Sequence, residues 1–151
     1  FAALEPGDLE PLISTCGLYK NKAKNIVATS RILCQTYGGQ VPKDREALMA
    51  LPGVGRKTAN VVLAVGFGIP ALAVDTHVQR VSNRLGLAHS TTPDQTEAQL
   101  CAMIPQEKWA DAHHWLIWHG RKLCTAQRPK CSQCPLAMLC PSANLGSLAG
   151  A

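Results

Sequence analysis

Apolar residues recur along this chain at helical spacing, and no pair of alternating runs reads as a hairpin of strands. The pattern predicts a short helix from Asp8 to Ser14, closed by Gly17. Asn21 is read as the cap of a longer helix reaching Tyr37, with Ile26, Ile32 and Leu33 on its apolar face and Gly38-Gly39 as its stop. A short helix from Asp44 to Leu51 ends at Pro52. After Gly53-Val54-Gly55 another runs from Arg56 to Val65. Asp75 is an N-cap candidate for a helix from Thr76 to Leu85, with Gly86 at its end. Thr92-Pro93-Asp94-Gln95 has the form of a capping box with proline at the first helical position, and opens a helix reaching Met103. Gln106 to His119 follows, stopped by Gly120. The fold class predicted is all-α, with no internal repeat and a loose tail at 145–151.

Composition narrows the setting. The chain has 151 residues, 46% of them hydrophobic, which is enough for a core in one compact domain or two small ones. No stretch reaches the roughly 18 uninterrupted apolar residues of a membrane span. The run Val61 to Val65, continued by Gly66-Phe67-Gly68-Ile69, is too short and reads as a buried helix. Nothing at the start resembles a signal peptide, and the first residue is Phe1, so a fragment or processed form is expected. The net charge of +5 favours a polyanion such as nucleic acid, though many soluble proteins are as basic. Seven cysteines, an odd number, argue against a disulfide framework. Cys16, Cys34 and Cys101 are scattered and expected to be buried thiols in a reducing, intracellular setting.

The most informative stretch is Leu51-Pro52-Gly53-Val54-Gly55-Arg56-Lys57-Thr58-Ala59. Two short helices meet at a Gly-x-Gly turn, and glycine permits both the turn and the close approach of another backbone. The amides of Gly53, Val54 and Gly55 then stand at a helix N-terminus, where a DNA phosphate can dock without any base being read. Arg56 adds a charge beside it. A plain connector between helices is the alternative. Lys57 lies in the first turn of the second helix, an unusual place for a cation, because the positive helix end favours the neutral amine that a nucleophile needs. A solvated surface lysine or another phosphate contact is the alternative for Lys57. Val74-Asp75-Thr76-His77 comes eighteen residues after Lys57. A carboxylate at Asp75 can shuttle protons or stabilise positive charge developing on a sugar. Its alternative, a plain N-cap, is compatible with that role, since one oxygen can cap while the other serves the chemistry.

Cys124-x6-Cys131-x2-Cys134-x5-Cys140 provides four thiolates within seventeen residues. Zinc ribbons carry two close Cys-x2-Cys pairs, whereas only one pair here is close. The spacing therefore favours an iron–sulfur cluster over zinc, and the role expected is structural, with every ligand position filled by thiolate. Arg121 and Lys122 precede the loop, and Arg128 and Lys130 project from it around Pro129. A solvated basic face is the alternative to phosphate contact for each of them. His113, His114, Trp115, Trp118 and His119 share one predicted helix and are read as core, with hydrogen-bonded imidazoles. Cys101 sits on an apolar stripe with Leu100 and Ile104.

Leu51 to Asn60, followed by Val74-Asp75-Thr76-His77-Val78, resembles the helix-hairpin-helix DNA glycosylases, and the endonuclease III family most closely. The resemblance runs from about Leu12 to Cys140. It implies a six-helix-type domain, residues 1–105, with the hairpin at 44–65. A C-terminal helix and iron–sulfur loop at 106–144 would follow. It further implies a bifunctional DNA glycosylase/AP lyase of base excision repair acting on oxidised pyrimidines in double-stranded DNA. Such enzymes flip the damaged base out of the duplex. Lys57 falls on the family's nucleophile and Asp75 on its essential carboxylate. Cys124, Cys131, Cys134 and Cys140 fall on the ligands of its [4Fe–4S] cluster. Gly17-Leu18-Tyr19 resembles the loop that pushes a side chain into the gap left by the flipped base, with Leu18 as the wedge. A hydrophobic staple for the following helix is the alternative. Gly53, Val54, Gly55, Arg56, His77, Arg121, Arg128 and Lys130 are the other expected DNA contacts.

The implied protein is a monomer in a bacterial-type cytoplasm, associated with the nucleoid. Family members carry about sixty further residues before the position of Phe1, a length set against ordinary domain sizes. Without them, apolar faces near Lys22 to Tyr37 and Lys108 to His119 are expected to lie open. Three rival readings stay open: a mismatch-specific relative, a non-catalytic or truncated DNA-binding module of the same fold, and a zinc-bound structural protein.

Overall fold

The computed structural model describes residues 1–143, and the tail expected at 145–151 lies outside them. Regular structure among the described residues is helical, as predicted. The chain divides into two compact units, Phe1–Leu63 and the residues from Ala64 onward.

In the first unit, α1 (Pro6–Leu9) is followed by a 3-10 turn, Pro11–Ile13, in place of the single helix expected over Asp8 to Ser14. Pro11 has no N–H to continue an α-helical ladder. Helix α2 spans Tyr19–Thr36 and starts earlier than expected. Its first ladder bond runs from the Lys22 N–H to the Leu18 carbonyl (3.0 Å), so Asn21 lies inside the helix and is not its cap. Ala23 and Val27 are buried with Leu9, and Leu4 and Ile13 pack against them. Arg31 ties the preceding chain to α2, donating to the Ala2 and Leu4 carbonyls (3.1 and 2.8 Å) and to the Glu5 carboxylate (2.7 Å). Helix α3 (Arg45–Met49) is capped by Asp44, whose Oδ1 accepts from the Ala47 N–H at 2.8 Å. Helix α4 (Arg56–Val61) runs into a π turn, Val62–Gly66, where a continuous helix was expected.

In the second unit, α5 (Thr76–Leu85) and α7 (Trp109–Lys122) form the main helix pair, with α6 (Pro93–Met103) beside α5. The caps predicted at Asp75 and Thr92 and the left-handed Gly86 after α5 are all present. Leu72, Val74, Val78, Val81, Leu100 and Leu116 make the core, and Cys101 packs against it as expected. Gly120 does not stop α7. It packs against α5 instead: an added Cβ would stand 3.0 Å from Val81 Cγ2 and 3.1 Å from Arg80 Nη2.

Five core assignments are corrected: His114, Trp115, Trp118, Cys16 and Cys34 are exposed. Of the aromatic cluster on α7, His113 is buried, its Nδ1 2.7 Å from the Ala73 carbonyl oxygen. Trp115 and Trp118 are instead 60% and 56% exposed. The buried face of α7 is Ala112, His113, Leu116 and Gly120, and the 3.6-residue period turns both tryptophans away from it. Cys16 and Cys34 are exposed, not buried. Among the described residues, no helix is long and apolar enough to cross a membrane.

Candidate functional site

The hairpin turn is held from α2. The Val54 N–H donates to the Leu51 carbonyl (3.1 Å) and closes the turn. Thr29 Oγ1 donates to the Pro52 carbonyl at 3.0 Å. Gly53 has φ 77°, and a Cβ there would stand 2.5 Å from Asn25 Nδ2. Glycine is thus needed at this position twice, for its left-handed backbone and for the side chain packed on it. Gly55 caps α4 with no side-chain hydrogen bond. The apolar side of α4 is anchored by buried Ala59, while Lys57 is exposed on its first turn and Arg56 is half-buried. Gly53 and Gly55 are exposed as well, so the turn backbone and the Lys57 amine are open to a ligand.

Leu18, ahead of α2, is the sole non-glycine residue with positive φ (59°) among those described, and is 79% exposed. Left-handed backbone costs a leucine about 1–2 kcal/mol.

In the second unit, Asp75 is half-buried at the start of α5. Its Oδ1 accepts from the Val78 N–H at 2.8 Å, while among the described residues no hydrogen bond engages Oδ2. His77 follows, half-buried, with Nδ1 3.1 Å from Arg80 Nη2. A guanidinium has no acceptor, so Nδ1 is the accepting atom of this pair. The two protons of the same Nη2 are shared with the carbonyls of Gly120 and Cys124, both at 3.0 Å.

Residues 123–143 contain only two 3-10 turns, Cys131–Gln133 and Ala137–Leu139, and none of them is buried. This segment has no side-chain core of its own. What its side chains surround is a cavity of about 160 Å³, lined by Cys124, Cys131, Cys134 and Cys140 together with Arg84 and His119. Among the described residues no three potential ligands converge on a single ion. Four thiols around one cavity suit a cubane, which takes one thiolate at each iron. Burial lowers the His119 pKa from its ordinary value, and its Nε2 lies 3.6 Å from Cys134 Sγ. Arg121, Arg128 and Lys130 are exposed.

Sequence reasoning missed Arg80, Arg84 and His119, which surround the cysteine segment. The available signal was two arginines four residues apart on α5, hence on one helix face.

The matches to known proteins follow this layout. Residues 1–106 match the model of the HhH-GPD superfamily of base excision DNA repair proteins, and residues 124–140 match the iron-sulfur binding domain of endonuclease III. The chain belongs to the HhH-GPD superfamily of base excision DNA repair proteins, and its cofactor is a [4Fe–4S] cluster. Within that superfamily it is similar to endonuclease III. It is 50% identical to that of Bacillus subtilis (strain 168), over 93% of this chain and 64% of the relative. It is 51% identical to that of Escherichia coli (strain K12), over 92% of this chain and 67% of the relative. A solved structure of a trapped endonuclease III–DNA covalent intermediate superposes with a TM-score of 0.90 at 50% identity, covering 94% of this chain and 67% of that one. The chain thus spans about two thirds of the length of the relatives it matches.

Proposed function

We propose that this chain is a bifunctional DNA glycosylase/AP lyase of base excision repair, acting on oxidised pyrimidines in duplex DNA. The observation that carries the reading is Lys57, exposed on the first turn of α4 directly after the glycine hairpin. Support comes from the 50% identity to a protein trapped covalently on DNA. The Lys57 amine attacks C1′ of the damaged nucleotide as the base departs with the glycosidic electron pair. Loss of the amine proton and opening of the sugar leave a Schiff base, and β-elimination then breaks the strand on the 3′ side. Asp75, through the oxygen not used as a cap, steadies positive charge on the sugar and relays protons.

Leu18 fills the gap left by the flipped base. The turn from Gly53 to Arg56 holds a phosphate, and His77, Arg121, Arg128 and Lys130 add backbone contacts. Cys124, Cys131, Cys134 and Cys140 hold the cluster, which supplies the centre that the C-terminal segment lacks. The work divides between a helical domain, 1–105, and a C-terminal helix with cluster loop, 106–144. The acting form is a monomer on nucleoid DNA in the cytoplasm.

Borohydride trapping on duplex DNA with an abasic site tests this. The wild-type chain is expected to give a covalent adduct that Lys57→Ala abolishes; no adduct with wild type sinks the lyase reading. The glycine hairpin and the basic cysteine loop serve equally a second reading, a non-catalytic DNA-binding module of the same fold. Undiminished duplex binding with neither base release nor strand cleavage selects it.

A further inference from the structure

Arg84, in the last turn of α5, is half-buried and lines the cysteine cavity. Its Nη1 donates to the Thr125 carbonyl at 2.7 Å and to Cys124 Sγ at 3.4 Å. Its Nη2 donates to the Ala126 carbonyl at 2.8 Å. Two backbone carbonyls therefore hold the guanidinium plane, and one of its protons is directed at the first sulfur of the segment. Its own carbonyl oxygen lies 3.2 Å from Cys140 Sγ. That last contact needs a thiol proton, which an iron-bound thiolate lacks. The Cys124 contact behaves oppositely: a charged donor binds a thiolate more strongly than a thiol.

We propose that Arg84 is a positioning residue that sets the reduction potential of the iron–sulfur group held by residues 124–140, through its guanidinium on the Cys124 sulfur. An electron added to that group increases the negative charge beside Arg84. A fixed cation that hydrogen-bonds the ligand sulfur stabilises the reduced form and raises the potential. Arginine suits this better than lysine, because the planar fork is held by the Thr125 and Ala126 carbonyls while still reaching sulfur. The assignment rests on the iron–sulfur reading of the segment, and the experiment separates the two.

Iron content, absorbance and reduction potential by film voltammetry are measured on the wild-type chain, Arg84→Gln and Arg84→Lys. Arg84→Gln, loaded with iron, is expected to shift the reduction equilibrium towards the oxidised form by about tenfold, ~59 mV for one electron. Arg84→Lys is expected to shift it less in the same direction. Where Arg84→Gln takes up no iron, a downward shift in loaded Arg84→Lys supports the assignment. Unchanged potentials in loaded variants overturn it. Loss of iron from both variants overturns it in favour of a purely structural clamp on residues 124–126. A wild-type chain that binds no iron overturns the cluster reading itself, and the assignment with it.

Discussion

Leu18 and Gly53 show two opposite uses of left-handed backbone. Gly53 occupies it without strain and leaves room for Asn25. Leu18 occupies it against its preference, with its side chain exposed. Leu18→Gly removes about 1–2 kcal/mol of backbone strain and adds about 0.5–1 kcal/mol of unfolded-state entropy. Chemical denaturation is therefore expected to show unchanged or slightly raised stability, while base release from a duplex lesion falls. A clear loss of stability with normal base release indicates that Leu18 is a hydrophobic staple.

At the scale of the element, α5 combines several roles in ten residues. Its first turn is capped by Asp75, its middle meets α7 across Gly120, and Arg80 and Arg84 fasten the chain around Cys124. The cap and the chemistry assigned to Asp75 can be separated. Asp75→Asn keeps an acceptor for the Val78 N–H, whereas Asp75→Ala removes it at a cost of about 1 kcal/mol. Thermal unfolding is expected to distinguish the two variants, and a base-release assay to find both inactive. Normal activity in Asp75→Asn leaves Asp75 as a cap only.

For the whole molecule, none of residues 123–143 is buried, so beyond the arginine contacts around Cys124 the expected source of order in the cysteine segment is the group its thiols hold. Stripping iron is expected to leave helical circular dichroism nearly intact while making 125–140 open to limited proteolysis. Arg128 and Lys130 then lose their fixed positions. The slope of log affinity for DNA against log salt should shrink by about 1 for each phosphate that these side chains cease to neutralise. Equal protease resistance in the iron-free chain counts against a structural role for the cluster.

Much of this was legible in the sequence because it is local. Caps at Asp75 and Thr92, the glycine hairpin and the cysteine spacing depend on a few neighbouring residues. Helix starts were less legible where a residue broke its own preference. Leu18 adopts a conformation that a leucine avoids, so local pattern points to Asn21 as the cap instead. Position within the tertiary fold decided the rest. Gly120 reads as a stop signal until α5 packs against it, and Trp115 and Trp118 read as core until the face of α7 is known. Arg80 and Arg84 lie some forty residues before the segment they hold, and no local pattern links them to Cys124. Most helices, the nucleophile candidate and the four thiols can be read from the chain alone, since short-range hydrogen bonding and ligand spacing are written in adjacent residues. Which arginine reaches a ligand sulfur and which aromatic rings meet water follows from packing, because both depend on contacts between segments distant in the chain.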